Sequence, residues 1–224
     1  MGKFRIALLL KKEKKHNVKV INFLKKMKNV KLFILEGDSK SNYPEILNKE
    51  KFDFIISYLS PWVIKKKTLL RTNFKNINFH PSLPKYPGFG CYNLCLYNQD
   101  KYYGVTCHEM EKKVDTGKIY YVKKFRVKKN LNLDELINIT YREMFNFFKK
   151  KIKFLLENKK IIPVNNINWD KKNFSKKKDV DKLSLIKLNM SNKEASRRIR
   201  STYLKKKFYP KISIFDKIYE LKEL

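Results

Sequence analysis

The chain is short of the residues that small stapled or turn-rich folds rely on. Its 224 residues include three cysteines, six glycines and seven prolines. Cys91, Cys95 and Cys107 are odd in number and show neither a Cys-x-x-Cys pair nor a Cys/His spacing suited to a metal, so no disulfide framework is expected and no metal is called for. No run of about 20 apolar residues occurs, which excludes a spanning helix. Residues 1–10 (MGKFRIALLL) lead straight into a lysine-rich stretch without a small-residue cleavage site. They read as a buried strand rather than a signal peptide, and a cytoplasmic protein with reduced thiols is expected.

Acidic residues are also scarce: 21 Asp and Glu stand against 53 Lys and Arg, a formal net charge of +32. Arginine is scarcer still among the cations, with seven, at positions 5, 71, 126, 142, 197, 198 and 200. A nucleic-acid footprint favours arginine forks gathered into one patch. Abundant lysine beside Asn, Ile, Phe and Tyr is instead the mix an A+T-rich coding sequence produces, with lysines spread over every solvated face. A basic RNA-binding module is therefore the rival reading from a different class, and a polyanionic substrate would still be attracted.

What is present is enough apolar material for a core. Hydrophobic residues make up 42% of the chain and aromatics 14%, which suits one domain of ordinary size with a small extension. The continuous apolar runs at residues 4–10, 30–35, 52–59 and 76–80 predict buried parallel strands. Between them, Val18, Ile21, Leu24 and Met27 predict a helix over 17–28. A short helix is expected around 44–49, and Pro61 stands where another could begin. This order argues an α/β fold, Rossmann-like, with a doubly wound and mostly parallel sheet.

The pattern changes after Pro81. A loop at 86–92 (YPGFGCY) leads to strand-like segments at 103–110 and 118–127. Ile137, Tyr141, Met144, Phe148, Ile152 and Leu155 then mark one stripe of a long helix over 131–157. Residues 165–178 read as a loop, 179–188 and 192–204 as short helices, and 210–224 as a β-hairpin turning at Asp216 and Lys217. The expected division is a catalytic domain over 1–165 and a C-terminal helix-plus-hairpin appendage over 166–224. Its last 45 residues or so are too few to pack well alone.

Chemistry concentrates in residues 76–90 and 106–117. Asn78 and His80 are two apart in a strand, so both project to one side. Pro81 ends that strand, which puts them at its carboxyl end, where open α/β sheets bind ligands. A carboxamide beside an imidazole offers two N–H donors to a developing oxyanion. Asp115 lies in Val-Asp-Thr-Gly, a tight turn allowed by Gly117. A carboxylate there would orient His80 and favour its imidazolium.

The string Asn78-x-His80-Pro81-Ser82-Leu83-Pro84, then Tyr86-Pro87-Gly88, Gly104-Val105-Thr106-x-His108-x-Met110 and Asp115-x-Gly117 resembles the 10-formyltetrahydrofolate-dependent formyltransferases. The likeness covers roughly residues 1–160. It implies that Asn78, His80 and Asp115 are catalytic and that 10-formyltetrahydrofolate is the cosubstrate, with no metal. It also implies that Ser60, Trp62, Val63 and Ile64 line one wall of the pterin pocket and that Glu111 to Val114 form the other. His108 belongs to the string in a supporting position.

Within the family, the purine-precursor branch is disfavoured because LLLKKEKKHN lacks that branch's glycine-rich phosphate loop. The initiator-tRNA branch carries a fuller C-terminal domain and an Arg-Gly pair where this chain has Tyr86-Pro87-Gly88-Phe89-Gly90. The PKYPG loop, Lys178-Asp179-Val180-Asp181 and RRIRSTY are closest to the nucleotide-sugar N-formyltransferases. That branch implies an acceptor amine on a nucleotide-linked amino deoxysugar, of the dTDP-sugar kind, in surface polysaccharide (lipopolysaccharide O-antigen) biosynthesis. It further implies substrate contacts at Lys85, Tyr86 and Gly88, a homodimer formed through the C-terminal region, and no membrane or nucleic-acid partner. Lys11, Lys12, Lys85 and the arginines at 197–200 are the cations expected to meet a diphosphate. Ser82-Leu83-Pro84 is one residue shorter than the usual form. A methionyl-tRNA formyltransferase-like enzyme is the rival within the family.

Overall fold

The computed structural model describes residues 2–12, 15–158, 161–215 and 217–223. The strands are β1 (Phe4–Lys11), β2 (Val30–Gly37), β3 (Phe54–Tyr58), β4 (Lys75–His80), β5 (Tyr102–Glu109), β6 (Ile119–Arg126), β7 (Leu185–Lys187), β8 (Lys211–Ile214) and β9 (Lys217–Glu220). The helices are α1 (Asn17–Lys25), α2 (Ile46–Lys49), α3 (Lys66–Leu70), α4 (Cys91–Tyr97), α5 (Leu133–Asn158), α6 (Lys177–Leu183) and α7 (Asn192–Thr202). Among the described residues no helix is long and apolar enough to cross a membrane.

Six strands form one sheet in the order β2-β1-β3-β4-β5-β6. The first three pairings are parallel, and β5 runs antiparallel to β4. The expected α/β architecture with a mostly parallel sheet is therefore the one found. A strand covered on both faces reads as an unbroken apolar run, and Ile6 to Leu10 of β1 are all fully buried. On one face Leu8, Phe54, Ile56, Ile77 and Phe79 meet Val20 and Leu24 of α1 and the Met144, Phe148, Ile152 and Leu155 stripe of α5. On the other, Ala7, Leu9 and Ile55 pack with Leu47, Phe52 and Ile64.

The chain divides into two compact units. The first comprises Met1–Pro81, Val105–Lys123 and Tyr141–Asn168; the second comprises Ser82–Gly104, Lys124–Thr140 and Trp169–Leu224. The last segment starts at Trp169. It does not stand alone, because it shares a unit with two earlier stretches. Tyr86, Cys91, Cys95, Tyr103, Val127 and Leu136 belong to the core of that unit. Its small sheet runs β7-β8-β9. Helices α4 and α7 are cross-braced: Asn93 donates to the Ser201 carbonyl (2.7 Å), and the Arg197 guanidinium donates to the Tyr97 carbonyl (3.1 and 2.8 Å).

Three local expectations need correction. Residues 61–65 are not helical, and α3 begins only at Lys66. Helix α4 replaces the tail of the anticipated loop. Its sequence, CYNLCLY, has weak intrinsic helix preference and is held by packing against α7 and by Gly90 at its N-cap in the left-handed region (φ 76°). Residues 185–187, read as the end of a helix, form β7 because β8 pairs with them. The C-terminal hairpin is present as β8 and β9, while Asp216 of its anticipated turn and Leu224 at its end lie outside the described residues.

All three cysteines are buried and reduced. Burial holds the Cys95 thiol up at about 12 and pushes Cys107 far above the ordinary thiol range. A raised value keeps the unreactive protonated form at neutral pH. Ellman's reagent at pH 8 should therefore titrate almost no thiol in the native chain and all three after denaturation; rapid native labelling of Cys107 would contradict this placement.

Candidate active site

The sheet brings the predicted catalytic residues together through one register. Asn78 pairs with His108 and His80 with Thr106 across the β4–β5 ladder. Residues two apart share a face, so Asn78, His80, Thr106 and His108 project from the same side of the sheet. Ser57 of β3, paired with Asn78 on the other flank, adds a small buried polar group there.

Asp115 reaches this face from the loop after β5. One of its carboxylate oxygens lies 3.3 Å from His80 Nδ1 and the other 3.2 Å from His108 Nε2. All three residues are almost fully buried, at 5% (His80), 2% (His108) and 4% (Asp115) exposure. A buried carboxylate is tolerable only when its oxygens are matched by donors, and two imidazoles supply them. The turn that delivers Asp115 is strained: its φ is +51°, a region where non-glycine residues sit at a cost. Gly117 closes the same turn, since a Cβ there would stand 2.1 Å from the Glu109 carbonyl oxygen.

His108 is more central than the sequence suggested. Its Nδ1 is 2.7 Å from the Glu109 carbonyl, which can only accept, so Nδ1 carries a proton. Its Nε2 is also 3.0 Å from the Asn78 amide nitrogen. With a lone pair, Nε2 accepts from Asn78; with a proton, it donates to Asp115. His108 thus links the carboxamide to the carboxylate. Its i, i+2 spacing from Thr106 in a strand facing β4 was the available signal, but the antiparallel pairing had to be known to use it.

The other predicted residues fall in three settings. Ser60 Oγ accepts from the Trp62 backbone N–H at 3.1 Å and fixes the loop after β3. The Trp62 ring lies against Gly37, where any Cβ would collide with it, and Ile64 is buried. Val63 (56%) and Val114 (44%) are exposed apolar side chains on loops leaving β3 and β5, the two strands that flank β4.

The remaining group lies in the second unit. Lys85 Nζ grips both oxygens of Asp100 (2.8 and 2.9 Å), and the buried Tyr86 hydroxyl donates to Asp100 at 2.7 Å. Lys85 is thus paired rather than an open cation, and the Tyr86 ring belongs to the core. Gly88 (φ 88°) bridges to Ser175, whose carbonyl oxygen would be 2.3 Å from any added Cβ. Arg197 and Arg198 are likewise engaged, with the Tyr97 carbonyl and with Glu194 and the Lys182 carbonyl. Tyr203 and Tyr209 pack against each other, ring centroids 6.0 Å apart.

Fold and site together define an open α/β protein with a carboxamide–imidazole–carboxylate cluster on the strand that leads into the connection after β4. Residues 6–147 match the Formyl transferase family. The chain belongs to the formyl transferase family. A methionyl-tRNA formyltransferase of Finegoldia magna is 38% identical over 93 residues, which is 41% of this chain and 30% of that protein. The chain thus spans about a third of that curated relative. A 4-N formyltransferase from Francisella tularensis has the same fold at 19% identity, with a TM-score of 0.78 over 95% of this chain and 93% of that one. The formyltransferase PseJ from Anoxybacillus kamchatkensis, solved with UDP-4,6-dideoxy-4-formamido-L-AltNAc and tetrahydrofolate, is 25% identical with a TM-score of 0.64, covering 80% and 88%.

The strain at Asp115 yields a measurable contrast. Asp115→Ala and Asp115→Gly both remove the carboxylate, but only glycine accepts φ +51° freely. Urea denaturation should find the glycine variant more stable than the alanine variant by about 1 kcal/mol. Equal stabilities would mean that the turn relaxes without strain.

Proposed function

We propose that the chain transfers a formyl group from 10-formyltetrahydrofolate to the primary amine of a nucleotide-linked amino sugar. The observation that carries the reaction is the meeting of Asn78, His80, His108 and Asp115 on one sheet face. The observation that favours the sugar acceptor is the likeness to PseJ, solved with a UDP-linked formamido sugar, at 25% identity over 80% of this chain and 88% of that one. The 38% identity to a methionyl-tRNA formyltransferase over 93 residues keeps initiator tRNA as the second acceptor to be tested.

Bound 10-formyltetrahydrofolate would supply the activated formyl group, with Val63 and Val114 lining its ring and Ser60 and Trp62 holding the loop in shape. Asn78 and protonated His80 would donate to the formyl oxygen as negative charge develops there. Asp115 would hold His80 in orientation and take up the proton that the attacking amine releases, directly or through a water; as the carbon–N10 bond breaks, that proton would pass to N10 of the departing tetrahydrofolate. His108 would steady Asn78 when its Nε2 carries a lone pair and Asp115 when Nε2 carries a proton. The loop around Lys85, Tyr86 and Gly88 shapes the acceptor side through its backbone, with Asp100 and Ser175 keeping it rigid.

The C-terminal sheet carries exposed apolar side chains, Phe215 at 94%, Ile218 at 63% and Tyr219 at 50%. On this reading they pair across a two-fold axis in a homodimer, which buries what a lone hairpin leaves open. The acceptor of the dTDP-sugar kind and a role in surface polysaccharide synthesis belong to the same reading.

Two measurements test the proposal. Asn78→Ala and His80→Ala should each lower turnover with a nucleotide amino sugar by about 100- to 1000-fold, the usual loss of one oxyanion donor, with the native circular dichroism kept; His80→Ala should also melt lower, because it strands the buried Asp115 carboxylate. Activity on charged initiator tRNA with none on dTDP- or UDP-linked amino sugars would overturn the sugar acceptor. For assembly, light scattering should find a dimer in the native chain and a monomer after Ile218→Glu; a monomeric native chain would remove the dimer.

A further inference from the structure

On the face that carries the cluster, most polar groups account for one another. Asp115 faces His80 and His108, and Asn78 Nδ2 lies 3.0 Å from His108 Nε2. Two polar atoms are left over. Neither Oδ1 of Asn78 nor the hydroxyl of Ser57 has a hydrogen bond among the described residues. Ser57 is 6% exposed, a depth at which hydroxyls are ordinarily paired.

The sheet sets these two side chains next to each other. Phe54, Ile56 and Tyr58 of β3 and Ile77 and Phe79 of β4 pack on the face covered by α1 and α5, while Ile55 packs on the other. With a period of two, Ser57 and Asn78 both project to that second face. They are partners in the parallel β3–β4 register, and adjacent strands lie about 4.8 Å apart. Asn78 therefore stands between His108 on β5 and Ser57 on β3. The nitrogen and oxygen of its carboxamide sit on diverging arms. With the nitrogen turned to His108, the oxygen turns away from β5.

The two ends of a carboxamide are nearly alike in shape but opposite in effect. An N–H stabilises negative charge developing on a formyl oxygen, and a carbonyl oxygen repels it. Nδ2 has two hydrogens, so one spent on His108 leaves one for the formyl oxygen. His108 holds this orientation only while its Nε2 carries a lone pair, because a protonated Nε2 donates to Asp115 instead. A hydroxyl that donates to Oδ1 enforces the same orientation without regard to that proton. We propose that Ser57 is a positioning residue for formyl transfer, its hydroxyl donating to Asn78 Oδ1, directly or through one water, so that Nδ2 stays turned to the reacting oxygen. The proposal rests on the formyl-transfer reading and holds for either acceptor.

Steady-state kinetics of the full chain with 10-formyltetrahydrofolate test it, using whichever of the nucleotide amino sugar and charged initiator tRNA the native chain formylates. Ser57→Ala should lower kcat about 10-fold, the effect of one neutral hydrogen bond, with KM for both substrates within about twofold of native. Ser57→Cys, close in shape but a much weaker donor, should fall nearly as far, and it serves as the second variant if Ser57→Ala loses the native circular dichroism. Because Ser57 acts through Asn78, Ser57→Ala should cost nothing further in an Asn78→Ala background. A native kcat in either single variant, a loss confined to KM, or a full additional loss beside Asn78→Ala would overturn the role of Ser57 while leaving formyl transfer standing. A native chain that formylates neither acceptor would overturn the formyl-transfer reading itself, and the role of Ser57 with it.

Discussion

Asp115 between two imidazoles is the interaction on which the site depends. Its two oxygens face His80 and His108 at 3.3 and 3.2 Å in nearly dry surroundings. A carboxylate buried this deeply requires donors on both sides, and the imidazoles require something to keep their tautomers defined. Each member therefore satisfies the others, and removing one leaves polar atoms stranded. The positive φ at Asp115 is a backbone cost that the turn bears.

The same cluster depends on a change of strand direction. In doubly wound sheets ligands gather at the crevice where the strand order reverses, which here lies between β1 and β3. The face that carries the Asn78–His80–His108–Asp115 cluster is instead built on β4 and β5. Because β5 runs antiparallel, it returns along β4 and sets His108 opposite Asn78.

Charge in this chain divides by residue type. Lysine supplies most of the excess and is distributed over solvated positions, where a single pair contributes about 0–1 kcal/mol. Arginine is rare and mostly binds backbone carbonyls: Arg5, Arg71, Arg197, Arg198 and Arg200 each donate to at least one. A planar fork can satisfy carbonyls at a helix end in a way that an ammonium cannot. A net charge of +32 therefore says little about partners, while the whereabouts of seven arginines says a good deal about structure.

By itself the sequence determined the elements whose signal is local and strong. The runs of β1 and β3 and the three-and-four spacing of α5 follow from hydrophobic periodicity, and they appear where that periodicity puts them. Asn78 and His80 share a face because a strand has a period of two, and the ordered motifs from Asn78 to Gly117 identified the family. Other features were illegible because their causes are distant in the chain. Helix α4 has poor intrinsic preference and forms against α7, about 100 residues later. Strand β7 is three residues long and exists because β8 lies beside it. Lys85 looked like an open cation until Asp100 was found between its ammonium and Tyr86. His108 looked secondary until the β4–β5 register set it against Asn78 and Asp115. Local pattern decides which way a side chain points; only the tertiary structure decides what it meets, because the partner comes from another part of the chain.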